Sequence, residues 1–383
     1  MNDKINTKVK NKDNNFKQIK QGENNSEIKF NNKSRIKNKK SLILRIINIL
    51  VVVGFGIFLV IFLLRGIKLT DIKNAILNCY KPSLISAFII IIISDLFRAY
   101  RKQLLVGLDK IRFFDMFLIA LIRNAFTMVL PARTGEISYI YVLTRKFKFP
   151  VEVGISTLAL VMVFDLAIVF SLIVIGVIIV WITFGFGNLA ISSWQIILIA
   201  FILLIISLLL LFYLSAVIRL ILKFFNKLIL KTKIGKNKAI NYIYKKLQDI
   251  NFSIDEIKKR KIYGKVYFYS VICRVLKFVA YYMVIHAVLK PMGYGFSSLN
   301  FWVIFLATVV AEISAVLPTH ALAGFGTYEG AFALAFVALG FPLELSKIVG
   351  FSYHILTLSF SVSLGLISII IISLPFYKIK KIY

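Results

Sequence analysis

Cysteine, histidine and acidic residues are all scarce in this sequence. Cys79 and Cys273 are its only cysteines and lie in separate apolar segments, which excludes a disulfide scaffold. His286, His320 and His354 are the only histidines and there is no CxxC, so neither a structural zinc site nor any other cofactor is expected. No Walker-type glycine-rich loop occurs, and direct drive by a nucleotide is not expected. Asp and Glu number 17 against 48 Lys and Arg.

What is present in excess is apolar surface. Hydrophobic residues make up 59% of the chain without counting glycine. A soluble domain has ~45–50% with glycine included. The mean hydropathy is +0.84. A soluble fold could not bury that much, so an ordinary cytosolic enzyme is excluded. The class is an all-α, polytopic membrane protein.

The charge is concentrated in two blocks. Residues 1–45 hold 13 Lys/Arg against 4 Asp/Glu, and residues 215–265 hold 14 against 3. Such blocks can bind nucleic acid. They also fit cytoplasmic flanks that obey the positive-inside bias and touch anionic lipid. Both flank apolar spans and neither shows a base-stacking aromatic pattern, so no nucleic acid is expected. Residues 1–43 read as a disordered basic cytoplasmic tail, since Asn and Lys dominate them and little can be buried. Residues 44–376 read as the membrane domain, with 215–265 as a basic cytoplasmic loop. Residues 377–383 read as a short basic cytoplasmic tail.

A spanning helix needs ~20 apolar residues. Six segments qualify: 44–64, 83–106, 151–183, 194–214, 266–289 and 345–375. Two shorter stretches, 114–130 and 299–317, each end in Leu-Pro and are followed by a glycine-containing segment, 132–146 and 319–340. Loop charge puts 98–112 inside, through Arg98, Arg101, Lys102, Lys110 and Arg112, and the uncharged 184–193 outside. Parity then requires each short pair to return to its own side. The expected architecture is about six full spans plus two broken or re-entrant hairpins, which would form an inverted repeat. The composition, rich in Ile, Lys and Asn, fits a bacterial plasma membrane, with both termini cytoplasmic.

The hairpins share Val-Leu-Pro, then Gly, then Glu: Pro131, Gly135 and Glu136 in the first, and Pro318, Gly324, Gly326, Glu329 and Gly330 in the second. Broken backbone at membrane depth is tolerated only where protein or a wet cavity satisfies it, and paired interruptions in two halves point to a substrate site. Four acidic residues fall well inside apolar segments: Glu136, Asp165, Glu312 and Glu329. Intramembrane carboxylates are costly and mark functional sites by default. With Arg133 they could hold an anionic lipid headgroup, because a guanidinium makes bidentate bonds to phosphate. They could equally be ion pairs that lock helices together. Arg98 and Arg101 sit at a span end, where contact with lipid phosphate is routine. Arg274 and Lys277 read as snorkelling side chains, His320 as a polar cap and His354 as a satisfied packing residue. No catalytic grouping can be assigned.

At these motifs the sequence resembles the lysylphosphatidylglycerol synthase transmembrane region, or flippase-like domain, family. The resemblance rests on Arg98-Ala-Tyr-Arg101, on Leu130-Pro131-Ala-Arg-Thr-Gly135-Glu136, on Asp165 within its helix, and on Gly324-Phe-Gly326-Thr-Tyr-Glu329-Gly330. It departs at Val161-Met162, where many relatives carry Glu-Arg. The resemblance implies a membrane part that moves an anionic or aminoacylated phospholipid, or a related polyprenyl lipid, between leaflets. It also implies membrane phospholipid as partner. No segment is large enough for an aminoacyl-transferase domain; were the chain an enzyme, it would be a phosphatidylglycerol lysyltransferase-type transferase. The other role open to it is an accessory subunit, whose basic blocks dock a cytosolic or membrane lipid-modifying enzyme.

Overall fold

The computed structural model describes residues 58, 60–130, 134–184, 193–227, 238–314, 322–374 and 377. They belong to one unit, Gly56–Tyr383. Among them there is helix and no strand. The expected span 44–64, Pro131, Arg133, Pro318 and His320 lie wholly or largely outside the described residues.

Helix α1 is Leu69–Leu77 and α2 is Lys81–Val106. Pro82 opens α2, where its missing N–H is not needed, and Gly107 ends it at φ +129. A broken pair follows, α3 (Phe113–Val129) and α4 (Glu136–Arg145). Two long apolar helices come next, α5 (Val151–Phe184) and α6 (Ser193–Phe225). Helix α7 is Lys238–Lys259 and α8 is Tyr263–Leu289. The second broken pair is α9 (Phe301–Ser314) and α10 (Thr327–Ala338), and α11 (Leu343–Ser373) closes the fold.

Five helices are long and apolar enough to cross a bilayer: α2, α5, α6, α8 and α11. Helices α9 and α10 are apolar but shorter. This is a polytopic membrane protein. Helix α6 leaves Leu198, Ile199, Phe201 and Leu209 exposed, as a lipid-facing helix does.

Two sequence boundaries need correction. The span expected over 83–106 does run to Val106, so the overlapping reading of 98–112 as a connection holds only for 107–112. Arg98, Arg101 and Lys102 are therefore helical residues within the fold rather than loop charges at a span end. The 215–265 segment is largely helical. Helix α6 continues to Phe225, and α7 packs against α5 and α6. Lys246 of α7 pairs with Glu152 of α5. Arg260 donates to the carbonyls of Leu104 and Leu105, at 3.3 and 2.8 Å, which satisfies acceptors that the end of α2 leaves unpaired.

The two sets α2–α5 and α8–α11 share one order: long, short, short, long. Helices α2 and α8 pack along each other. The short helix α3 packs on α11, and its counterpart α9 packs on α5. Each set thus covers a helix of the other. The α3–α11 crossing is close: a Cβ on Gly365 would lie 2.2 Å from the Cβ of Ala125.

Candidate functional site

The short helices position charge in the interior. In the first hairpin, Gly135 allows the chain to fold back on α3. A Cβ there would come 2.2 Å from the backbone of Phe126 and Thr127, so no larger residue fits. The next residue, Glu136, begins α4 and faces Arg123 of α3. Arg123 donates through Nε and Nη2 to the two carboxylate oxygens, a bidentate pair.

In the second hairpin, Leu322–Gly324 forms a short 3-10 turn, with Ala323, Gly324 and Gly326 at φ +55, +74 and +90. This left-handed backbone turns the Gly326 N–H onto Oε2 of Glu329 at 2.7 Å. The other oxygen, Oε1, lies 2.5 Å from Nδ1 of His354 on α11. Gly330 needs no such account: among the described residues a Cβ there would meet only Leu63, at an ordinary 3.5 Å.

Between the hairpins a chain of ion pairs crosses four helices. Arg101 of α2 donates to Asp165 of α5 at 2.5 Å and to the Ser270 hydroxyl at 2.7 Å. Arg274 of α8 contacts the same Asp165 at 2.7 Å and approaches Glu312 of α9 at 3.8 Å. Lys277, one turn on, pairs with Glu312. On α2, Arg98 pairs with Asp95, which also accepts a 2.8 Å hydrogen bond from Asn124.

These groups line one cavity of about 160 Å³. Its wall carries the cations Arg98, Arg101, Arg123, Arg274 and Lys277. The carboxylates Asp95, Glu136, Asp165 and Glu312 are set among them. His354 and Tyr328 complete the side nearest α10, with Glu329 behind His354. Removing one partner of such a pair strands a charge in low dielectric, which costs ~3–5 kcal/mol. The charges therefore fix the helices relative to one another while facing a common space.

A sequence profile of the lysylphosphatidylglycerol synthase TM region family matches residues 45–365. The chain belongs to that family. A comparison with curated protein sequences finds no match.

In this member of the synthase TM-region family, Glu136, Asp165, Glu312, Arg98 and Arg101 all come to the cavity. Glu329 reaches it only through His354. Asp165 is held by arginines from two other helices, Arg101 of α2 and Arg274 of α8. Arg274 and Lys277 do not snorkel: both are partly buried and held in ion pairs. Asp95 is an interior carboxylate missing from the four read in the sequence. It is 3% exposed, and its signal was the Asp-x-x-Arg spacing to Arg98 inside an isoleucine-rich helix. Lys102 was also missed. It is fully buried, with its ammonium 4.6 Å over the Tyr139 ring and without a hydrogen-bond partner among the described residues.

Proposed function

We propose that this protein binds the headgroup of an anionic or aminoacylated phospholipid, or a related polyprenyl lipid, in the cavity and moves it between leaflets. The observation that carries the reading is five cationic side chains facing one space inside a bundle of membrane helices, each held by a carboxylate. A phosphate entering that space meets several donors already oriented, at no further cost in side-chain ordering. The carboxylates allow release, because each arginine has an internal partner to return to once the headgroup leaves. The family's own description, concerned with lysylphosphatidylglycerol, supports a role in handling lipid. We place the protein in a bacterial plasma membrane with both termini cytoplasmic, following the positive-inside bias of the basic segments.

The test is leaflet exchange of labelled phosphatidylglycerol and its lysyl ester in liposomes holding the purified protein. Wild type should exchange at least one of them. Arg123→Ala and Glu136→Ala should insert normally and lose exchange by about tenfold or more, as expected when a charged hydrogen bond of ~1.5–3 kcal/mol is removed. Full exchange in both variants would reject the site. No exchange by folded wild-type protein would favour the accessory-subunit role.

A further inference from the structure

Among the described residues, Glu329 is the one interior carboxylate named above that no arginine or lysine holds. Its Oε2 accepts the Gly326 N–H and its Oε1 faces Nδ1 of His354, and it is 1% exposed. His354 is itself buried, yet its ring lines the cavity. Phe325 and Tyr328 flank the imidazole, with ring centroids 5.1 and 4.6 Å away. Aromatic faces and a carboxylate are surroundings that can hold an imidazolium without another acid.

We infer that His354 and Glu329 form a proton-binding dyad that takes up one proton when an anionic headgroup fills the cavity, so that lipid movement is linked to proton movement. The inference rests on the lipid reading of this cavity. In the empty state the Nδ1–H of neutral His354 donates to the Glu329 carboxylate, and the dyad carries one negative charge. On binding, an N–H bond forms at Nε2 with a proton taken from hydronium, whose O–H bond breaks to leave water. The dyad becomes neutral overall, with a positive ring on the cavity wall. That change offsets one charge of the incoming phosphate. Release on the other side of the membrane returns the proton to water.

Other groups face the same space and could compete for the proton. From α8 come Arg274, Lys277, Tyr281 and Cys273, whose thiol donates to the Ser94 carbonyl, and from α9 Glu312. From α10 comes Tyr328, from α3 Arg123, and from α4 Glu136. Helix α2 adds Asp95, Arg98 and Arg101, and α5 adds Asp165. The arginines keep their protons at any working pH. Each of these carboxylates, and Lys277, is already in an ion pair. Tyr353, beside His354 on α11, is engaged with the Tyr328 hydroxyl at 3.2 Å. Histidine is also the side chain whose ordinary titration falls near neutrality.

The experiment is calorimetric titration of the full chain in detergent with dihexanoyl-phosphatidylglycerol, in buffers of different ionisation enthalpy, from about pH 5.5 to about pH 8.5, where histidine titrates. The expected result is uptake approaching one proton per lipid. Affinity should weaken by up to about tenfold per pH unit across the titration, because lipid and proton binding are reciprocally linked. His354→Gln should abolish uptake and leave a flat, weak affinity, while His286→Gln, at a histidine outside the cavity that bonds Ser83, retains uptake. Lipid binding by wild type without proton exchange would overturn the inference. So would uptake that survives in His354→Gln. The wild-type buffer comparison decides alone if that variant fails to fold. If the folded wild type binds no lipid at all, the lipid reading falls and the dyad inference with it, a result distinct from binding without protons.

Discussion

Arg274 of α8 lies 2.7 Å from Asp165 of α5 and also reaches Glu312 of α9 at 3.8 Å. One guanidinium therefore ties three helices at the cavity wall. Asp165 is shared in turn with Arg101 of α2. Under the proposed function, a headgroup that draws Arg274 away would loosen both of its carboxylates at once.

Asp165→Asn should expose that dependence. The change leaves two buried arginines short of a carboxylate, and stability should fall by about 3 kcal/mol. Thermal unfolding in detergent would show it. Adding Arg101→Met to Asp165→Asn should recover part of the loss, since one stranded cation is then removed. A double variant no better than the single would show that the pair contributes independently of its charge.

Lys102→Met should stabilise the protein. The ammonium is buried over Tyr139 without a hydrogen-bond partner among the described residues. A buried polar group left without a hydrogen-bond partner costs ~1–3 kcal/mol, which an apolar chain of similar length does not incur. The midpoint of thermal unfolding should rise. A fall would mean that Lys102 is paired in the working state, and leaflet exchange in the same variant would then report on that pairing.

Gly135→Ala should prevent the first hairpin from closing. The added Cβ meets backbone atoms of Phe126 and Thr127 at 2.2 Å, and backbone cannot step aside as a flexible side chain can. The cost should exceed the 1–3 kcal/mol (about) of an ordinary overpacked site. The readout is the yield of monodisperse protein. By contrast, Gly330→Ala has room beside Leu63 and should express normally.

Much of this was legible in the sequence, and the reasons differ by feature. Apolar runs of spanning length give α2, α5, α6, α8 and α11, because membrane thickness sets a ruler that tertiary context rarely overrides. Leu-Pro followed by Gly and Glu marked both broken pairs. Helix ends defined by charge were less legible. Arg98, Arg101 and Lys102 read as a cytoplasmic loop because hydropathy alone cannot tell a cation leaving the membrane from one buried against Asp165. The same ambiguity made Arg274 and Lys277 look like snorkelling residues. The partners that settle it lie far away in sequence, such as Arg101 with Asp165 and Lys277 with Glu312. Asp95 was a different omission: its Arg98 partner was only one turn away.

The exchange of short helices between the two sets has a consequence for how the protein is made. Helix α3 emerges from the ribosome before the helix it packs on, α11, which follows all the other described helices in the sequence. Until then α3 carries Arg123 and the tight Gly135 turn with its seat unfilled. The set α2–α5 must wait in the bilayer as an unfinished half, and a chain cut between α6 and α8 should mature only when both fragments are produced in the same cell.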